Sequence, residues 1–225
     1  MEYQSYRQIL KRVGGVLLAV GLLDVAVMIY CIVKCLSYRP SLVFGLLFGI
    51  FLIRGSLRAA ATLRWFCIFI LSASIVASFV WPTIQPGDLT LMKIRFEPGV
   101  VAGGIAYLAI ALMLSTWIIR ELGREPICVA SKAAGLKSPD MYFPVAIGTV
   151  LVIGIAVSSN LFLNGESAER AKSMAEQEVD SGYKLHVDLL KTSTIDRHKS
   201  VYAVMTAWND SEIREISVRW EETGH

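Results

Sequence analysis

Asp24 is the residue whose position most needs a chemical reason. It stands in Gly21-Leu22-Leu23-Asp24-Val25, near the middle of an apolar stretch long enough to span a membrane. A carboxylate at that depth costs about 2.5–3.5 kcal/mol on insertion scales, so it must be protonated, paired or turned toward a wet cavity. If it titrates, it makes a proton- or ion-responsive site. If it stays protonated, it is a hydrogen-bond donor to a neighbouring helix, through Ser72, Ser74 or Ser115. Arg54 is the candidate partner, but rise per residue puts Asp24 about 15 Å and Arg54 about 5 Å from the inner face. Direct pairing therefore asks for a long reach.

Other chemistry is thin. His186, His198 and His225 have no Cys or carboxylate array beside them, which argues against a metal site. No GxSxG, HExxH or paired-carboxylate motif is present. The sequence thus offers no catalytic residue, cofactor site or metal site. Cys31 and Cys35 lie four apart at one end of an apolar stretch and read as small apolar packers. With Cys67 and Cys128 they complete the cysteine count. None lies in the polar C-terminal part, so that part is not a disulfide scaffold.

Five apolar stretches must position these residues: 13–34, 41–57, 65–83, 98–119 and 142–163. Each is about the length that crosses a hydrocarbon core of about 30 Å as a helix. The mean hydropathy is +0.53, and only 18% of residues are charged, against about 25% in soluble domains. The first apolar run is too long for a secretory leader and no A-x-A site follows it, so it reads as a retained helix. Residues 41–57 are the weakest span, because their uninterrupted apolar run ends at Ile53 before Arg54. An Arg at a helix end can snorkel to the interface. If this stretch turned back instead, the crossings would number four and the tail would be cytoplasmic.

Charge sets the orientation. With the N-terminus inside, the inner segments carry Arg7, Lys11, Arg12, Arg54, Arg58, Arg64, Arg120, Arg124, Lys132 and Lys137. The outer loops carry only Lys34, Arg39, Lys93 and Arg95. The positive-inside rule therefore favours N-inside, with the tail outside the cytoplasm. Trp65 and Trp81 bracket the third span, and Trp117 and Tyr142 sit near predicted interfaces. The basic segments also explain the positive net charge of +3: from Glu166 onward the chain carries −4, the rest +7. Nucleic acid is not an expected partner; membrane lipid is.

Small residues recur at spacing four. Gly45 and Gly49 form a GxxxG in the second span, and Gly99 and Gly103 another in the fourth. Such positions let helix backbones approach closely, within a bundle or between copies.

The tail reads as a small α+β domain. Asn164 or Ser167 can cap a helix carrying Ala168, Ala171, Ala175 and Val179, with Gly182 as its end. Three strand patterns follow. Tyr183, Leu185, Val187 and Leu189 alternate; 201–208 is apolar on both faces; Ile216, Val218 and Trp220 alternate, after a turn at 209–211. Residues 89–96 also have strand character and are a candidate fourth strand. A sheet this small leaves an edge open, and open edges recruit partners.

The expected architecture is a five-helix membrane bundle over 1–163, N-inside, with an extracytoplasmic α+β domain over 164–225 made of one helix and a three-stranded antiparallel meander. The expected function is non-enzymatic: protein–protein interaction as an assembly factor, accessory subunit or inhibitor- or immunity-type binder. Tyr202, Trp208 and Trp220 are the candidate docking residues. A protein partner or homo-oligomer through 164–225 is expected, in a bacterial inner membrane with the domain periplasmic. The alternative is an ion- or proton-linked transporter or channel subunit using Asp24. A membrane-bound enzyme comes third.

Overall fold

A computed structural model describes residues 2–34, 43–136, 140–179, 182–195 and 198–223. The described residues form eight helices followed by three strands. The helices are α1 (Glu2–Val33), α2 (Val43–Ile53), α3 (Leu57–Ile84), α4 (Gly87–Phe96), α5 (Pro98–Leu122), α6 (Glu125–Ala133), α7 (Tyr142–Leu163) and α8 (Glu166–Glu178). The strands are β1 (Lys184–Ile195), β2 (His198–Trp208) and β3 (Ile213–Thr223).

Four helices are long and apolar enough to cross a membrane: α1 from Tyr6, α3, α5 and α7. Only 6% of the most apolar window of α3, α5 and α7 is buried within the chain. Helices this apolar need an apolar solvent around them. The second expected span is shorter than its sequence suggested. Among the described residues α2 has 11 residues, about 16 Å of helix, and the first residues of the 41–57 reading lie outside the described ones.

The chain divides into two compact units, Met1–Ser74 with Ala109–Thr149, and Ile75–Leu108 with Val150–His225. The first is organised around one apolar cluster. Tyr6, Leu10, Val13 and Leu17 of α1 meet Leu52 of α2, Ala60, Leu63 and Cys67 of α3, Ile118 and Leu122 of α5, and Ile127 of α6. The start of α1, the end of α2, the start of α3 and the end of α5 therefore gather at one place. Helix α2 runs back along α1: Gly21 faces Leu46, while Gly14 faces Gly49 and Ile53. The turn into α3 is built locally. Gly55 adopts φ 83°, and the Gly55 and Ser56 amides donate to Leu52 O and Phe51 O at 2.8 and 3.1 Å. That is a Schellman stop, which needs a residue tolerant of positive φ. Ser56 Oγ then accepts from the Ala59 amide at 3.3 Å and caps α3. Gly135, at φ 69°, ends α6 in the same way.

In the second unit the sheet is an antiparallel meander in the order β1-β2-β3. Ala168, Ala171 and Ala175 of α8 are fully buried against Val187, Val201, Ala203, Met205, Val218 and Trp220. The small-residue stripe lets the helix lie close on the sheet, as its spacing suggested. Two local expectations are corrected. The N-cap of α8 is Gly165, with no side-chain cap, and its C-cap is Val179 rather than Gly182.

Residues 89–96 are not a strand. They form α4, with Asp88 in the first turn and Lys93 and Arg95 in the last, which suits the helix dipole. Leu89 is fully buried, and α4 lies against β3.

The faces of β1 are also revised. The ladder with β2 shifts between Val187 and Leu189, so Asp188 is the extra residue of a β-bulge. Leu185 and Val187 face α8, but past the bulge Leu190 takes that face opposite Ala203, and Leu189 pairs with Val204 on the other. An extra residue resets a period-two pattern.

Candidate functional site

The two faces of the sheet have different fates. One is closed by α8. The other carries Leu189 and Lys191 of β1, Tyr202 and Val204 of β2, and Ser217 and Arg219 of β3 by register. Leu189 is 51% and Tyr202 39% exposed. Arg219 Nε donates to Ser200 Oγ at 3.3 Å across the strands, which leaves the rest of its guanidinium free to meet solvent. Beside Leu189, Asp188 accepts a hydrogen bond from Thr206 Oγ1. The bulge and the second half of α7 line an open cleft of about 570 Å³ that includes Ser158, Ser159, Phe162 and Leu189.

By register Trp208 lies on this same side of the sheet and Trp220 on the α8 side, and neither is exposed. They are 4% and 6% exposed. Trp220 packs in the α8 core, and Trp208 lines a cleft of about 330 Å³ with Asp88, Leu91, Met92 and Lys184. Of the three docking candidates, Tyr202 alone is exposed. Large aromatics in a domain this small are taken up by its own core.

Electrostatics hold the end of the sheet nearest α4. Lys184 Nζ bonds Asp88 Oδ2 at 2.7 Å; the pair holds the Asp88 carboxyl below and the Lys184 ammonium above their ordinary ranges. Tyr183 OH donates to Glu212 Oε1, raising the phenol and lowering the carboxyl. Arg214 also bonds Glu212, at 2.9 Å. Asn209 Oδ1 accepts from the Ser211 and Glu212 amides, both at 2.9 Å, and closes the β2–β3 turn. Burial pushes the His186 imidazole below its usual range; Asp188 opposes the shift, while Lys172 and Lys93 reinforce it.

In the first unit Asp24 is 5% exposed and engaged in a polar or electrostatic interaction. Arg54 is exposed at the end of α2, next to the Ile53 that faces Gly14. Gly14 lies ten residues from Asp24, about 15 Å of helix, so the two ionisable residues are not brought together. Glu121, in the last turn of α5, is a buried acid that no motif marks in the sequence. Its Oε1 accepts from Arg124 at 2.7 Å.

The glycine pairs separate. A Cβ on Gly49 would stand 2.9 Å from the Gly14 carbonyl oxygen, and one on Gly14 would stand 2.8 Å from that of Gly49. Gly45 has looser contact, 3.5 Å from Leu17 O, and Gly99 and Gly103 face open space. Gly14 and Gly148 went unread in the sequence, having no GxxxG partner; Gly148 lies against Ser72 and the Phe69 carbonyl of α3.

Among the described residues, no group of three or more His, Cys, Asp or Glu could hold a metal ion. His198 and His225 have side chains outside the described ones. Cys31, Cys67 and Cys128 are free thiols, and Cys35 lies outside the described residues. No family model, no curated protein and no solved structure matches the chain.

Proposed function

We propose that this protein is a non-enzymatic membrane protein that offers a small extracytoplasmic domain to another protein of the same envelope. The observation that carries the reading is the uncovered sheet face around Tyr202 and Leu189, rimmed by Lys191 and Arg219. An aromatic and an aliphatic side chain ringed by polar groups is the composition of an interface centre and rim. Assembly factors, accessory subunits and inhibitor-type binders all need such a surface and no chemistry.

The sidedness belongs to the same proposal. Arg7, Lys11, Arg12, Arg54, Arg58, Arg64, Arg120, Arg124 and Lys132 all lie on segments of the one cluster where α1 begins and α3 starts. The positive-inside rule assigns that end to the cytoplasm. Because α2 ends beside Gly14, the chain has returned to its starting side before α3. Three further crossings leave the C-terminal domain outside, periplasmic in a bacterial inner membrane.

A photo-crosslinking residue at Tyr202 in the full-length protein tests the reading. One protein is expected to crosslink from Tyr202 in native membranes and not from Glu169, exposed on α8. Equal, diffuse adducts from both positions would overturn it.

The burial of Asp24 favours a second reading, an ion- or proton-linked transporter or channel subunit. Flux in proteoliposomes that vanishes in Asp24→Asn would promote it over the first.

A further inference from the structure

The two edges of the sheet are not equivalent. β1 is interrupted by the Asp188 bulge, a device that discourages further pairing. β3 pairs with β2 in unbroken register from Ile213 to Thr223 and has no strand on its other side among the described residues. Its outward residues Glu215, Ser217, Arg219 and Glu221 are exposed. Helix α4 lies against β3 but supplies no strand to it, so the regular backbone edge still lacks a ladder partner among the described residues.

The charge order along β3 selects an occupant. In an antiparallel pairing of two identical strands about a two-fold axis, residue 217 + n faces 217 − n of the partner when Ser217 is the centre. Glu215 then faces Arg219 of the second copy, and Arg219 faces its Glu215. On the α8 side, Ile216 faces Val218. Moving the centre one residue toward the C-terminus sets Arg214 against Glu222 but also Glu215 against Glu221, and moving it one residue the other way leaves neither Glu215 nor Glu221 facing an arginine. Of these registers, only the one centred on Ser217 pairs opposite charges within β3 without setting like charges against each other, as a two-fold interface requires.

We propose that the protein forms a homodimer by antiparallel β3–β3 pairing centred on Ser217, joining two meanders into one six-stranded sheet. The occupant is a second copy of this chain. The pairing takes Ser217 and Arg219 from the rim of the Tyr202 face but leaves Tyr202 and Leu189 exposed, so crosslinks from Tyr202 and from Ser217 test the two proposals separately.

The test uses the full-length protein in membranes, with the four native cysteines replaced by alanine. A two-fold pair at residue 217 sets its Cα atoms about 4.5–5.5 Å apart, inside the range a disulfide bridges. Ser217→Cys should form a disulfide dimer on mild oxidation, and Thr192→Cys on the β1 edge should not. Glu215→Arg or Arg219→Glu alone should lower the Ser217→Cys crosslink by about tenfold, because each sets like charges opposite twice. The double reversal Glu215→Arg/Arg219→Glu should restore it. Native mass spectrometry of the unmodified protein should give a dimer, lost in either single reversal. A monomer, a crosslink no stronger at Ser217 than at Thr192, or a double reversal as weak as the singles would overturn the proposal.

Discussion

One methyl group separates two kinds of glycine in the helices. At Gly14 and Gly49 it would enter a backbone carbonyl at 2.8 or 2.9 Å, whereas at Gly99 and Gly103 it would meet nothing within 4 Å. Gly14→Ala or Gly49→Ala should each destabilise the α1–α2 pair by about 1–3 kcal/mol, and Gly103→Ala should change little. Thermal melting of the purified protein in detergent separates the cases. GxxxG spacing shows where a backbone can approach; it does not show whether the same chain supplies the approaching helix. Asp24 was legible for a comparable reason. Its cost is set by hydrocarbon depth, which hydropathy reports, while its partner is set by helix packing, which hydropathy does not report.

His186 carries a pH signature at the same scale. The folded domain holds it below the ordinary 6.5, chiefly by burial, with Asp188 opposing and Lys172 and Lys93 assisting. The unfolded chain therefore takes up the proton first as pH falls. Stability is expected to be full above about pH 7 and to decline as pH drops through the unfolded value. The melting temperature of the C-terminal domain within the intact protein should fall between about pH 7.5 and 5.5, and His186→Asn should flatten that slope.

At the scale of elements, α4 is the main departure from expectation. Leu89, Leu91 and Ile94 invite a strand reading, but Asp88 and the closing Lys93 and Arg95 place charges to suit a helix dipole. The deciding contact is tertiary: Leu89 is fully buried, whereas Leu91 is exposed. Leu89→Ala should cost about 2–5 kcal/mol and Leu91→Ala under about 0.5 kcal/mol, measured by chemical denaturation followed at Trp208. The α8–sheet pairing was far more legible, because alanines at helical spacing and apolar residues at strand spacing describe two faces that fit. The bulge at Asp188 was not, since an inserted residue leaves the run Leu185, Val187, Leu189 looking like unbroken alternation.

At the scale of the whole molecule, charge carried more information than motif. The basic residues read from sequence as one side, apart from Lys137, which lies outside the described residues, belong to the segments that meet in the cluster around Leu10, Leu52 and Leu122. Lys132→Cys and Glu169→Cys, both at exposed positions, should react with an impermeant maleimide from opposite sides of sealed membranes. Membrane crossing was legible because length and hydropathy determine it. Which large aromatics stay exposed was not legible, because hydropathy does not say which of them the domain's own core takes up, as it does Trp208 and Trp220.

The central claim is that another protein covers the Tyr202 face in the membrane. Its most direct test is maleimide labelling of Tyr202→Cys, in a background with the native cysteines replaced, in opened native membranes and after purification. The account predicts protection in membranes and full labelling once purified, with Glu169→Cys reactive in both. A Tyr202→Cys as reactive in membranes as Glu169→Cys would contradict it.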